Sequence, residues 1–403
     1  MGILAMHLAI ISPYPPALNG IGQYGYYFSR ALARSGVFDE ISLLTGSSSM
    51  PDPGHNTGAM HLDHIWKPGS LNVGQAIVTH INKIKPDLVW FNLGASVFGR
   101  TPFANLSGFT SVAGIRNMGI PTVLTLHEMV EFADLRALRA PGGPFARIGA
   151  QLLSRVVKLA DVVCLTIRRY ADILSRRWPD RQFIYIPIGA YHTPEVLPHG
   201  HEQNLLFFAM MAPFKGLDVL LEAFRSLQQH YPRLRLIVAG AEHSRFPGYA
   251  ARLQQTYQSL PNVTWMGPVM EENVQSLFKE AQIVVLPYTA FTGSSSVLYQ
   301  AAMWGRPIVA SDLPEFQSLV SESNLNVKYF RNRVPSSLAE TISSLLDSAT
   351  SRNRIINQNI QAIQPNRLEE NCRSYLQAFN LALEIRCRPE RIPDPIQISL
   401  EAA

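Results

Sequence analysis

Two successive series of short apolar runs, each run followed by a stretch of helical periodicity, constrain this chain more than any other feature. The first series reads "LAIIS", "ISLLT", "DLVWF", "TVLTL", "DVVCLT" and "FIYIP", with intervening apolar residues at helical spacing such as Tyr24, Phe28 and Leu32. The second reads "NLLFFA", "LRLIVAG", "NVTWMG", "IVVLP" and "PIVAS". Strands that are apolar on both faces, each followed by a helix, are satisfied in a parallel sheet covered on both sides. The expectation is an α/β protein of two doubly wound, Rossmann-like domains. The first spans 1–190, the polar segment "YHTPEVLPHGHEQ" is a linker over 191–203, and the second domain spans 204–366. A further helix over 367–386 and a tail over 387–403 complete the chain.

With 403 residues, 47% hydrophobic and 16% charged, the chain is long enough for two well-cored domains and is neither disordered nor fibrous. Cys164, Cys372 and Cys387 make neither a disulfide framework nor a metal spacing, which fits a reducing, cytoplasmic setting. No apolar run approaches the roughly 20 residues of a membrane span. The opening "MGILAMHLAIISPYPP" lacks a basic n-region and a cleavage site, so it reads as a buried first strand. The net charge of +5 is concentrated between Leu135 and Arg181, which hold ten basic and three acidic residues. Interleaved with Phe145, Leu152, Leu153, Val156 and Val157, this segment is either a surface for anionic lipid at the inner face of a membrane, an attractor of an acidic substrate, or a solvated helix face. Nothing in the pattern points to nucleic acid.

The stretch "ALNGIGQYGYYFSRAL" places Gly20, Gly22 and Gly25 on the spacing G-x-G-x-x-G. In a dinucleotide site the first glycine follows the strand at once and an acid ends the second strand. Here "SPYPPALN" intervenes, and "ISLLTG" ends in Thr45 and Gly46, which argues against NAD. Glycines opening a helix still offer bare N–H groups to a phosphate. In "FFAMMAPFKGLDVLLEAFRSL", Lys215 and Gly216 stand at the mouth of an amphipathic helix, poised over an anion at the carboxyl ends of the strands. In "VLPYTAFTGSSSVLYQAAMWGRPIVASDLPE", Thr292, Gly293, Ser294 and Ser295 form a second candidate phosphate loop, with Gln300 two turns along the same helix, in reach of a ribose. His127 and Glu128 end a strand, as a satisfied pair or as site residues. Tyr288 stacks on a base or fills core. Asp312 and Glu315 have capping-box spacing. His61, Asp63 and His64 invite a metal reading but have no further obvious ligand.

The order of these motifs resembles the GT-B glycosyltransferases, in particular the retaining family known as group 1 or family 4. The similarity runs over nearly the whole chain: the glycine segment, "LTLHE", "IPIG", the Lys-Gly helix, "GPVMEENVQSLFKEAQIVVLP" and the "TGSSSVLYQAAMWGRPIVASDLPE" block. The resemblance implies two domains facing across a cleft, with "CRSYLQAFNLALEI" crossing back to brace the first. It implies transfer of a sugar, with retention, from a nucleotide-diphosphate sugar to a saccharide or lipid-linked acceptor in polysaccharide or glycoconjugate assembly. No metal and no separate cofactor are expected, since there is no D-x-D triplet and positive groups can stabilise the leaving diphosphate. Lys215 would contact phosphate, with Gly216, Thr292, Gly293, Ser294 and Ser295 around it. Gly20 and Gly22 would close over the donor, Gln300 and Glu315 would lie against it, and His127 would contact the transferred sugar. The chain departs from the family pattern at Met210, where an arginine is usual, and at Thr292 and Gln300, where two glutamates are usual. These departures keep open a non-catalytic nucleotide-sugar-binding protein, and fold alone keeps open a two-Rossmann epimerase or oxidoreductase.

Overall fold

A computed structural model describes residues 6–15, 19–47, 59–99, 101–139, 143–198, 203–291 and 293–387, and, within these, no side chains for 143–146. The first sheet comprises β1 (His7–Ile11), β2 (Glu40–Gly46), β3 (Met60–Trp66), β4 (Leu88–Leu93), β5 (Thr122–Leu126), β6 (Val162–Leu165) and β7 (Gln182–Tyr185). Its order is β3-β2-β1-β4-β5-β6-β7, with every neighbouring pair parallel. The second comprises β8 (Asn204–Phe208), β9 (Arg235–Ala239), β10 (Val263–Gly267), β11 (Ile283–Leu286), β12 (Ile308–Ser311) and β13 (Lys328–Phe330). Its order is β10-β9-β8-β11-β12-β13, again wholly parallel. The two doubly wound domains expected from the apolar runs are present.

β3 and β13 are strands that periodicity misses, for a physical reason. Both are edge strands: β3 leaves His61 and His64 exposed, and β13 is three residues long. An edge needs no continuous apolar run because one side faces water. His64 Nδ1 lies 3.0 Å from the Gly46 carbonyl and Asp63 lies 3.5 Å from His80, and no cluster of three metal-ligating side chains occurs among the described residues.

Both sheets reverse their strand order once, between β1 and β4 and between β8 and β11. Ligands of open α/β sheets bind in the crevice outside the carboxyl ends of strands at such a reversal. The loops that follow these four strands are therefore the ones that can build a site.

The helix Leu368–Ile385 packs on the first domain, against the helix Gly20–Arg34 and strands β5 and β6. The buried Tyr375 hydroxyl lies 2.7 Å from that of Tyr24 and 2.8 Å from Thr125 Oγ1, and its ring contacts Trp90, Phe28 and Phe379. Beyond the helix end, Arg386 pairs with buried Asp161 at 3.0 Å. The two chain crossings between the domains touch: Gly189, at φ +72°, has the Asn366 carbonyl 2.1 Å from where a Cβ would stand, and the Asn371 amide donates to the Pro187 and Ile188 carbonyls. Phe379 is wholly buried in the first domain's core. Phe379→Ala is expected to cost about 3–5 kcal/mol in urea unfolding of the full chain, and a loss below about 1 kcal/mol would show that the helix is not part of that core.

Candidate functional site

Lys215 is set by its loop. After β8 the chain makes a 3-10 turn at Pro213–Lys215, and Gly216 takes a left-handed conformation (φ +68°) before the helix Leu217–Leu227 begins. A Cβ on Gly216 would stand 1.8 Å from the Pro287 carbonyl, so only glycine lets this turn seat against the loop after β11. The Lys215 ammonium rests 3.7 Å from the centroid of the buried Tyr288 ring, a cation–π contact. Tyr288 is thus core and the platform of Lys215.

The loop after β11 leads into the helix Ser296–Met303. Ser295 caps it, its hydroxyl accepting from the Leu298 N–H at 3.4 Å, while the Ser294 hydroxyl is buried and turned to the hydroxyl of Tyr299. Thr292 lies outside the described residues. Gly293 forms a bridge with Glu128 of the first domain, and a Cβ on it would stand 2.3 Å from the His127 carbonyl. Here the second domain presses directly on the end of β5.

From that end project His127 and Glu128. His127 Nε2 lies 2.6 Å from Asn92 Oδ1, and the Asn92 amide donates to Ser12 Oγ and the Ile21 carbonyl. With the amide so oriented, Nε2 carries the hydrogen and Nδ1 the lone pair. Burial drives the imidazole down to about 3, so it is neutral. Glu128 Oε2 accepts from the Ala95 N–H at 3.3 Å. Burial raises its carboxyl above the usual range, opposed by that N–H, Lys215 and Arg245.

Arg245, which sequence reasoning passed over, is the second cation. The loops after β8 and β9 are zipped together by the Met211 N–H donating to the Ala241 carbonyl and the His243 N–H donating to the Met211 carbonyl. Phe214, His243 and Phe246 pack edge to face around the join. Arg245 there reaches across the cleft to the Leu138 and Arg139 carbonyls at 3.1 and 2.6 Å. Burial, with Arg245 and Lys215 adding to it, pushes His243 down to about 4. Met210, where the family pattern has arginine, is only partly exposed.

Residues 202–348 match the family model "Glycosyl transferases group 1". This part of the chain is similar to the group 1 glycosyl transferases. The chain is 29% identical to a GDP-mannose:glycolipid 4-beta-D-mannosyltransferase of Xanthomonas campestris pv. campestris, over 35% of this chain and 43% of that one. It is 26% identical to the D-inositol 3-phosphate glycosyltransferase of Corynebacterium efficiens, over 59% of this chain and 60% of that one. The matches thus span about half the length of these curated relatives. Among solved structures, sucrose-phosphate synthase of Thermosynechococcus elongatus superposes with TM-score 0.71 at 16% identity, over 94% of this chain and 100% of that one. Anabaena Alr3699/HepE in complex with UDP and glucose superposes with TM-score 0.66 at 16% identity, over 92% and 98%. The fold is GT-B.

Within this GT-B frame some expected residues stand differently. Gly20 and Gly22 lie inside the first turn of the helix Gly20–Arg34 and not in a loop, and Asn19 already accepts the Gly22 N–H at 2.8 Å. Gly20 faces the second domain, with Ser296 Oγ 3.4 Å from where its Cβ would stand. Gln300 is buried and turned to the first domain, donating to Gln23 Oε1 at 3.1 Å. Gln23 in turn donates to both Glu271 oxygens at 2.8 Å, and Tyr27 donates to Glu271 at 2.7 Å. A ribose at Gln300 must therefore enter this network. The Asp312–Glu315 capping box does not form: Pro314 holds Leu313 extended as the cap residue, and Asp312 Oδ1 instead accepts from the Asn332 N–H. Glu315 sits in that helix's first turn, facing Tyr170 of the first domain, whose hydroxyl burial and Glu315 push up to about 12.

Gly293→Ala tests the contact between the domains. The added methyl meets backbone, so the expected outcome is a loss of about 1–3 kcal/mol with a larger radius of gyration in small-angle scattering. An unchanged radius and stability would show that the two domains do not close on this glycine in solution.

Proposed function

We propose that the protein is a glycosyltransferase that uses a nucleotide-diphosphate sugar. The observation that carries this reading is Lys215, held over Tyr288 with no carboxylate paired to it among the described residues, facing the same crevice as Arg245 and close to the start of the helix Ser296–Met303. When a glycosyl bond to a diphosphate breaks, charge develops on the phosphate, and preorganised cations and N–H groups are what lower that barrier. Lys215, Arg245 and the N-terminus of the helix Ser296–Met303 supply them at one place, a role that a divalent metal serves in other sites. Neutral His127, with its lone pair at Nδ1, is suited to accept a hydroxyl of the transferred sugar. Retention of configuration is what the resemblance implies, and NMR of the first product reads it.

The names of the relatives support the donor and acceptor classes. One is a transferase from GDP-mannose to glycolipid, and one neighbouring structure holds UDP and glucose. For this chain we take a saccharide or lipid-linked acceptor as the partner. No helix of the described residues is long and apolar enough to cross a membrane. The helix Gly143–Val157 nevertheless exposes Ile148 and Leu152 beside Arg147 and Arg155, next to the helix Pro102–Asn117 with its exposed Phe103 and Leu106. Other charges of the basic segment are engaged, with Arg177 on Glu131 and Arg168 over Tyr185. This apolar and basic face suits peripheral contact with anionic lipid.

Calorimetry against UDP, GDP and ADP is expected to show one nucleotide bound, with Lys215→Ala weakening it at least about tenfold. No binding by the folded wild type would overturn the donor reading. In sedimentation with phosphatidylserine-containing vesicles at low salt, the wild type is expected to pellet and Ile148→Ser/Leu152→Ser to remain in the supernatant. A wild type that stays in the supernatant at low salt removes the membrane contact.

A further inference from the structure

A hydrogen bond from a side chain of one domain to the backbone of the other can be made by many sequences, whereas one between two side chains needs a matched pair. At two places the first domain offers the second only backbone. Arg245 donates to the Leu138 and Arg139 carbonyls, and the Glu322 carboxylate accepts the Arg168 and Arg169 N–H groups at 3.0 and 3.3 Å. A third place is side chain on both sides. Glu271, in the turn after β10, accepts the Gln23 amide on both oxygens at 2.8 Å and the Tyr27 hydroxyl at 2.7 Å, and both donors stand on the helix Gly20–Arg34. The groups behind these donors point the same way. Gln300 donates to Gln23 Oε1 at 3.1 Å, and His192 of the linker has Nε2 2.9 Å from the Tyr27 hydroxyl. The hydrogen of that hydroxyl goes to Glu271, and burial lowers His192, so the neutral ring donates from Nε2. Glu271 is thus the final acceptor for groups of the first domain, the linker and the second domain.

We infer that Glu271 is a latch that holds the two domains closed. A carboxylate shielded from water is costly unless donors satisfy it. Burial raises the Glu271 carboxyl above the usual range, and the Tyr27 and Gln23 hydrogen bonds oppose that rise. Taking away the acceptor strands the Tyr27 hydroxyl and the Gln23 amide in the closed arrangement, and taking away a donor leaves the carboxylate short of a partner. Water makes good either loss once the domains part, so either loss shifts the balance toward the open form. The groups themselves are held in place by packing: the Tyr27 ring stacks on Tyr191 at 4.6 Å, and His192 lies against Trp304 at 5.3 Å. Closing seats Gly293 on His127 beside the crevice that Lys215 faces, so the latch sets how often that crevice stands open. It depends on contacts between the domains alone and holds for any ligand the crevice takes.

The test is small-angle scattering of the full chain at neutral pH without nucleotide, with far-UV circular dichroism as the check on folding. Glu271→Leu keeps the bulk of the side chain and loses the acceptor. It is expected to scatter with a larger radius of gyration than wild type at an unchanged dichroism spectrum. Tyr27→Phe, which removes a donor from the other domain, is expected to shift the radius the same way by less. The double variant is expected to match Glu271→Leu, because both changes remove one shared contact and their effects do not add. A wild-type radius in Glu271→Leu, or a double variant whose expansion is the sum of the two single ones, overturns the latch. So does loss of the dichroism spectrum in Glu271→Leu, which makes Glu271 a residue of the fold itself.

Discussion

The close seating of Gly293 on the backbone of His127 and Glu128 is the contact on which the site depends. With a Cβ position only 2.3 Å from the His127 carbonyl, no larger residue lets the loop after β11 reach the end of β5. That seating sets the approach of the two domains. It puts Glu128 among second-domain groups, brings Arg245 to the carbonyls of Leu138 and Arg139, and lets Gln300 reach the Gln23–Glu271–Tyr27 network. Each of these is a polar contact across a cleft, where partial exclusion of water strengthens electrostatics and makes unpaired groups costly.

The cations are held in ways that leave them available. A lysine in a buried ion pair must break that pair to meet a substrate, at a cost of several kcal/mol. Lys215 instead lies over a tyrosine ring, a contact worth about 0.5–2 kcal/mol that blocks none of its three donors. Arg245 spends one nitrogen on two carbonyls. The carboxylate they face, Glu128, has one long hydrogen bond. An anion entering the crevice therefore displaces little.

Legibility followed burial and chain locality. Strands apolar on both faces were readable because a continuous hydrophobic run has few other uses, whereas β3 and β13, half exposed at edges, carried no such mark. Lys215 and Gly216 were readable as a local turn at a helix mouth. Ser295 was placed in the right loop, yet its hydroxyl serves the helix cap. The capping box at Asp312 and Glu315 failed through Pro314, whose effect on the preceding residue outweighs the spacing. Arg245 gave only a faint signal, a basic residue flanked by Phe246 just past a strand adjoining the reversal. Glu128 was marked only as the strand-end neighbour of His127, and its meeting with Gly293 follows from the contact between the domains.

The sequence by itself determined the class of fold, two parallel doubly wound sheets, because runs of apolar residues followed by helices have one economical packing. It also marked the loops at Lys215–Gly216 and Gly293–Ser295 as the candidates for an anion, since glycine, lysine and serine at a helix start act through local backbone geometry. Tertiary structure alone decided which groups meet: Tyr288 beneath Lys215, Arg245 beside it, Glu128 against Gly293, Gln300 on Gln23. These partners lie far apart along the chain, up to 277 residues for Gln23 and Gln300. Their meeting depends on strand order and domain closure, quantities that no local pattern encodes.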